Sequence, residues 1–428
     1  MRPFPLIVSF VLATGCASVF DAPYIDLSAS LDAPEIMGEA VVEVVPPELD
    51  PAMLPAVVEK QHYDDLWLRL KAGLSVPEMD RDPKVLQAAR RFAQDRYLER
   101  TSARGADYLF YVVEEVDRRQ LPMELALVPF VESGYTLEAK SQAEAHGAWQ
   151  FIEKTGRTYE LDIDRFRDER RSLIASTRAA LDYLSDLYRM FGSWPLAMAA
   201  YNCGEKRIQA EIDRARARGV KQPGFNDLAA VLPVETREYV PRILALRRLI
   251  ANPAEYRLSL PAIRNEPRHS VVEIRRDIDL DLVIRLSGLS PAAFSALNPS
   301  IKAPVILGGY KTQLLLPHDA ALRLSLGMGT YAGPWVSWRA IRITRPASPG
   351  EIARRNSVPL KRLLFANPLP DGQLYMPGST LLIPLKSHEL GTADVLSGGV
   401  QGPVAMGQCG AEPCVMSRTG TSVPRLAN

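Results

Sequence analysis

The residues best placed to do proton chemistry stand at the end of an apolar run. Leu125-Ala126-Leu127-Val128-Pro129-Phe130-Val131 carries no polar side chain and is followed by Glu132, then Ser133-Gly134-Tyr135. A glutamate at the end of a buried helix loses water, which disfavours its charged form and raises its pKa. A carboxylic acid still protonated near neutrality can give a proton to a glycosidic oxygen. Taken alone, a glutamate at a helix end is usually just a solvated group, so the spacing of its companions matters. Ser141 stands nine residues after Glu132, and Gln150 nine after that, inside Gly147-Ala148-Trp149-Gln150-Phe151. Further on come Ala199-Ala200-Tyr201-Asn202-Cys203-Gly204-Glu205 and Leu232-Pro233-Val234-Glu235-Thr236-Arg237-Glu238-Tyr239-Val240-Pro241.

Other chemistries find less support. The five histidines form no spaced metal-ligand set and the four cysteines are too few for a disulfide scaffold, so neither a metal nor a cofactor is implied. Fifty-one Lys plus Arg balance fifty Asp plus Glu, giving a net charge of +1 and no global reason to expect an anionic partner such as nucleic acid.

The chain of 428 residues, 47% apolar and 24% charged, is long enough for about three folding units. Apolar residues at three and four spacing predict amphipathic helices over Asp64 to Leu74, Pro83 to Arg104, Ala106 to Arg119, Ser172 to Phe191 and Arg237 to Ile250. Beyond Asn252 short β-type runs take over, at Ser270 to Ile274, Gln313 to Leu316, Ala340 to Thr344 and Thr380 to Ile383. That change predicts an α+β chain: a mainly α body, then small mixed units.

The mixed part repeats internally. A shift of sixty-nine residues lays Leu289-Ser290 on Val358-Pro359, Phe294 on Leu363 and Asn298-Pro299 on Asn367-Pro368. After a two-residue adjustment, Leu314 to Pro317 falls on Leu381 to Pro384, as two copies of one β-α-α-β unit would.

Taken in order, the four motifs resemble the lysozyme-like lytic transglycosylases of bacterial cell walls, of the membrane-bound murein transglycosylase D type. The repeated units resemble LysM modules, which bind chains of N-acetylated amino sugars. The resemblance covers roughly residues 62 to 385 and implies Glu132 as sole acid and base. It would protonate the oxygen between N-acetylmuramic acid and N-acetylglucosamine in peptidoglycan, then accept the proton of the muramic 6-hydroxyl, leaving 1,6-anhydromuramic ends. It further implies that Ser141 and Gln150 orient N-acetyl groups, that Tyr201 lies near the reacting sugar and that Asn202 fixes a loop beside it. Two other readings of the same motifs are a hydrolytic muramidase of goose-lysozyme type and a catalytically silent peptidoglycan-binding scaffold. Where the family has Ser-x-x-Gly, this chain has Ser141-Gln142-Ala143-Glu144. A residue replacing a glycine of positive φ strains its turn, and a carboxylate there is expected near Glu132 as a modulator of its pKa. Trp149 and Phe151 are expected in the core, and Cys203 as a buried thiol.

Residues 1–15 read as a signal peptide, and Ala13-Thr14-Gly15-Cys16 resembles a lipobox in which Cys16 becomes lipid-bearing. That places the protein on the periplasmic face, anchored in the membrane, with Ala17 leaning towards the outer one. The expected organisation is a lipidated tether over 16–60, a helical segment over 61–104, a lysozyme-like domain over 105–252 and a linker over 253–276. A degenerate LysM-like module follows over 277–320, a second over 335–386 and a disordered tail over 387–428, where Cys409 and Cys414 could close a small disulfide loop.

Overall fold

The computed structural model describes residues 62–76 and 79–385. The signal peptide, Cys16, the tether and the tail with Cys409 and Cys414 lie outside the described residues.

The α part opens with α1 (Leu66–Ala72), α2 (Pro83–Gln94), α3 (Tyr97–Gly105) and α4 (Leu109–Arg118). A 3₁₀ turn, Met123–Leu127, leads into α5 (Val128–Ser133), and α6 (Glu153–Thr158) follows. The long α7 (Leu173–Phe191), α8 (Trp194–Cys203), α9 (Glu205–Ala217), the short α10 (Phe225–Leu228) and α11 (Val234–Ala251) complete it. Local signals set several ends: Asp65 caps α1 by accepting from Trp67 N–H at 2.7 Å, and Ser172 caps α7 by accepting from Ala175 N–H at 3.3 Å. One apolar core runs through α1, α2, α4, α5, α7, α8 and α11, and α11 packs on both α2 and α8.

The continuous helix expected over Pro83 to Arg104 is two helices. Arg96 has a φ of +49° and breaks the run. The turn lets Tyr97 stack on Phe92, with centroids 4.6 Å apart, and donate its hydroxyl to the Phe130 carbonyl at 2.6 Å. A straight helix could not fold that ring back beneath α5.

The C-terminal part holds β1 (His269–Ile274), β2 (Ile278–Asp279), α12 (Leu280–Ser287), α13 (Pro291–Leu297), β3 (Val305–Ile306) and β4 (Thr312–Pro317). After α14 (His318–Thr330), a helix the sequence reading did not contain, come β5 (Trp338–Arg342), α15 (Pro349–Arg355), α16 (Leu360–Ala366) and β6 (Thr380–Pro384). β1 pairs antiparallel with β4, and β5 with β6. The opening strand of the first unit therefore begins at His269, inside the stretch read as linker 253–276. Its burial alternates strictly along the strand, with Ser270, Val272 and Ile274 turned inward and Val272 and Ile274 packed in the apolar cluster of the first unit.

Asn298 and Asn367 do the same work in the two units. Asn298 accepts from Leu315 N–H at 2.8 Å and donates to the Leu315 carbonyl at 2.9 Å. Asn367 makes the matching pair with Leu382, at 2.8 and 2.7 Å. Each amide locks the end of a helix onto the middle of the closing strand, and both residues are buried. Asn367→Ala would leave a strand N–H and C=O without partners, at about 1–3 kcal/mol each. We expect urea denaturation to report the second unit destabilised by about 2–4 kcal/mol, with the α part unchanged. No single helix among the described residues is long and apolar enough to cross a membrane.

Candidate active site

The apolar run that precedes Glu132 is buried throughout, from the 3₁₀ turn to Val131, and only the end of α5, Glu132 and Ser133, reaches partial exposure. Pro129 is tolerated because its missing N–H falls in the first helical turn. Gly134, with φ +61°, stops the helix two residues after Glu132, its N–H bonding back to the Phe130 carbonyl at 3.1 Å. Ser133 Oγ then donates to the Ala148 carbonyl at 2.9 Å and ties the end of α5 to the next loop.

Glu132 is half-buried at the end of α5, and its pKa is pushed up to about 7. Burial is the main cause, and the charge of Glu235 adds to it; the Tyr239 hydroxyl and the Arg242 guanidinium pull the other way. Tyr239 donates its hydroxyl to Glu132 Oε1 at 2.5 Å. Burial and the Glu132 charge hold the Tyr239 phenol well above its ordinary pKa, so it stays a neutral donor. With Oε1 accepting from Tyr239, the transferable proton belongs on Oε2.

Residues 139–151 form a small hairpin that faces the end of α5. His146 and Phe151 exchange backbone hydrogen bonds at 3.0 and 3.1 Å, and Ser141 N–H bonds to the Ala145 carbonyl at 2.9 Å. Ser141 Oγ accepts from Ala145 N–H at 3.1 Å, which leaves its O–H free to donate. Gln150, at φ +52°, donates Nε2 to the Gly147 carbonyl at 2.7 Å and keeps its amide oxygen as an acceptor. Both residues thus brace their own hairpin as well as belonging to the predicted set. Trp149 is fully buried and donates Nε1 to Thr177 Oγ1 at 2.9 Å, and Phe151 is buried beside it, so both fill core as expected.

Glu144 departs from expectation. Its φ of +58° is the left-handed conformation that a glycine would adopt freely. Its carboxylate, however, is exposed and pairs with Lys140 Nζ at 2.8 Å. The acid whose charge acts on Glu132 is Glu235, not Glu144. An extended side chain on an outward turn reaches the nearest lysine, not the buried carboxyl. Glu144→Gly should therefore give a small rise in melting temperature and leave the pH–rate profile unmoved; a shifted alkaline limb would contradict this geometry.

α8 and α11 close the other side. Tyr201, near the end of α8, donates its hydroxyl to the Trp149 carbonyl at 2.8 Å and lies within the field of Glu132. Asn202 accepts from Thr236 Oγ1 at 2.7 Å and donates Nδ2 to Glu235 Oε1 at 3.4 Å, which joins the end of α8 to the start of α11. Cys203, expected as a buried thiol, is half-buried, and burial raises its pKa. Tyr239 and Glu235 carry no assigned role in the sequence reading, although both lie in the fourth motif. The missed signal was their i,i+4 spacing: the reading starts the helix at Arg237, whereas α11 begins at Val234 and sets both residues on one face.

Residues 112–222 match the family model for the transglycosylase SLT domain. Membrane-bound lytic murein transglycosylase D of Escherichia coli is 35% identical over 276 residues, which span 63% of this chain and 59% of that protein. This chain thus covers a little under two thirds of that relative's length. A putative tributyltin chloride resistance protein of an Alteromonas strain is 34% identical over 185 residues, 42% of this chain and 84% of that protein. Among solved structures, the 70 kDa soluble lytic transglycosylase of Escherichia coli aligns over 40% of this chain and 30% of its own at 17% identity, with a TM-score of 0.29. The chain carries a transglycosylase SLT domain over residues 112–222 and is similar, over more than half its length, to membrane-bound lytic murein transglycosylase D.

Proposed function

We propose that this protein is a peptidoglycan lytic transglycosylase with Glu132 as its only acid and base. The observation that carries the reading is the half-buried Glu132 carboxyl held by the Tyr239 hydroxyl, with its pKa raised to about 7, in a chain that carries an SLT domain. Glu132 Oε2 gives its proton to the oxygen between N-acetylmuramic acid and N-acetylglucosamine. The substrate's own acetamido group, in this reading, stabilises the cationic sugar, so no carboxylate nucleophile is required. The carboxylate left behind then takes the proton of the muramic 6-hydroxyl as that oxygen closes on the anomeric carbon. The glycosidic C–O bond breaks, an internal acetal forms between the anomeric carbon and O6, no water is consumed, and Glu132 returns protonated. Ser141 and Gln150 serve as polar contacts for N-acetyl groups. Tyr201 borders the reacting sugar, and Asn202 holds the loop between α8 and α11.

A hydrolytic muramidase is the second reading, and Glu235 is what favours it. Its carboxylate lies within electrostatic reach of Glu132 and could activate a water instead. Mass spectrometry of digested sacculi separates the two, since a transglycosylase leaves anhydromuramic ends and a hydrolase leaves reducing ends.

The two β-α-α-β units fit a role as LysM-type modules that bind the glycan strand. The domain limits we propose are those of the sequence reading, with the first module moved back to His269. Lipid on Cys16, by the lipobox resemblance, would hold the enzyme at the periplasmic face of the outer membrane. The relative's name, a membrane-bound murein enzyme, supports membrane attachment in general.

A further inference from the structure

One short segment, Asp162 to Arg171, bonds to the two C-terminal units on one side and to the active-site hairpin on the other. Towards the first unit, Asp168 N–H donates to the Ser300 carbonyl at 2.8 Å, and Lys302 N–H to the Phe166 carbonyl at 2.8 Å. Lys302 Nζ reaches the Asp164 carbonyl at 2.6 Å, and Tyr310 donates its hydroxyl to Asp164 Oδ2 at 2.7 Å. Towards the second unit, Arg165 donates to the Ala366 carbonyl at 2.9 Å and also bonds to Thr380 and Asn367. Phe166 inserts into a separate apolar cluster made with Val305 and Leu307 of the first unit and Trp338 and Leu382 of the second.

The same segment grips the hairpin. Arg170 is buried and forms a two-point pair with Asp168, Nε to Oδ1 and Nη2 to Oδ2, both 2.8 Å. Its remaining nitrogen, Nη1, donates to the Glu144 carbonyl at 3.1 Å. The Arg170 carbonyl lies so close to Gly147 that an added Cβ would stand 1.8 Å from it. Arg171 Nη2 meets His146 Nδ1 at 3.1 Å. The hairpin in turn supplies the carbonyls of Ala148 and Trp149 that receive Ser133 and Tyr201.

We propose that Arg170 is a positioning residue of the reaction and that the docked C-terminal units, through Asp168, fix it and the hairpin in register with Glu132. The units then serve turnover directly, beyond any hold they have on the wall. This rests on the transglycosylase reading. The physical reason is that the guanidinium spends its donors on one carboxylate and one hairpin carbonyl, while the backbone of that carboxylate's residue is stitched to Ser300. A displacement of the first unit is therefore passed to residues 144–150 without a flexible joint between.

The test uses the full chain and a soluble glycan tetrasaccharide, with Arg165→Ala plus Lys302→Ala as the remote variant and Arg170→Lys as the local one. Each is expected to lower kcat about tenfold while KM and the pH profile stay in place. Amide hydrogen exchange over residues 144–150 should rise in both. Combining the two should cost less than the product of their separate effects, because both loosen one connection. Unchanged exchange at 144–150 in the remote variant overturns the proposal, as do unchanged kcat or fully multiplicative losses. The exchange measurement reads the connection even in a chain that releases no muropeptides, so failure of the link and failure of the proposed activity are told apart.

Discussion

Glu132→Gln is expected to fold, to bind glycan and to lose turnover on isolated sacculi by about a thousandfold, the middle of the range for removing a general acid. The amide fills the same volume and still accepts from Tyr239, but it has no proton to transfer and cannot take one back. The same change has an opposite effect on stability. Glu132 has a native pKa of about 7 against an ordinary 4.5. Between those values the native state holds more protons than the unfolded one, so stability falls as pH rises through that window. The difference corresponds to about 3 kcal/mol lost by pH 8. Gln carries no charge at any pH, so the variant should melt higher than the parent at pH 8, and the gap should close near pH 4.5. Retained muropeptide release would remove Glu132 from the mechanism. A melting difference that does not depend on pH would mean that burial does not raise its pKa.

Tyr239→Phe should move the alkaline limb of kcat/KM upwards. The phenol hydroxyl donates to the carboxylate form of Glu132 and so favours it; without the donor, the neutral acid persists to higher pH. A hydrogen bond to a charged group contributes about 1.5–3 kcal/mol, which equals a shift of about one to two pH units. Turnover at pH 5 to 6 should fall at the same time, because Oε1 loses the contact that aims Oε2. Glu235→Gln provides the opposite sign: removing a nearby negative charge eases ionisation of Glu132 and brings the limb down. A limb that stays in place for both variants would show that neither group reaches the carboxyl in solution.

These two variants also mark the limit of what the motifs reveal. Glu132 could be found in the sequence because its apolar run stands in order with three further motifs, at spacings that the chain itself displays. The amphipathic helices α1, α4, α7 and α11 were legible because a 3.6-residue apolar period survives any tertiary arrangement, whereas α8, with buried residues all along it, shows no such period. Arg96 was not: the break between α2 and α3 depends on Tyr97 finding Phe92 and the Phe130 carbonyl, neither of which is visible to a local pattern. The β1 strand was legible as a β-type run but not as the start of a unit, because its partner β4 lies some forty residues away and only pairing defines it. The repeat was better marked, since Asn298 and Asn367 must be amides to bond a strand N–H and C=O at once.

The chain by itself thus marked the apolar run before Glu132, the most regular amphipathic helices and the repeated units, because periodicity and spacing are properties of the sequence alone. The tertiary structure decided which groups surround that acid: Tyr239 and Glu235 come from more than a hundred residues away, and Glu144, near in sequence, turns outward to Lys140. Field strength falls with distance in space, not along the chain, so the rise in the pKa of Glu132 by burial could be read from sequence, but the parts played by Tyr239, Glu235 and Arg242 only from the fold.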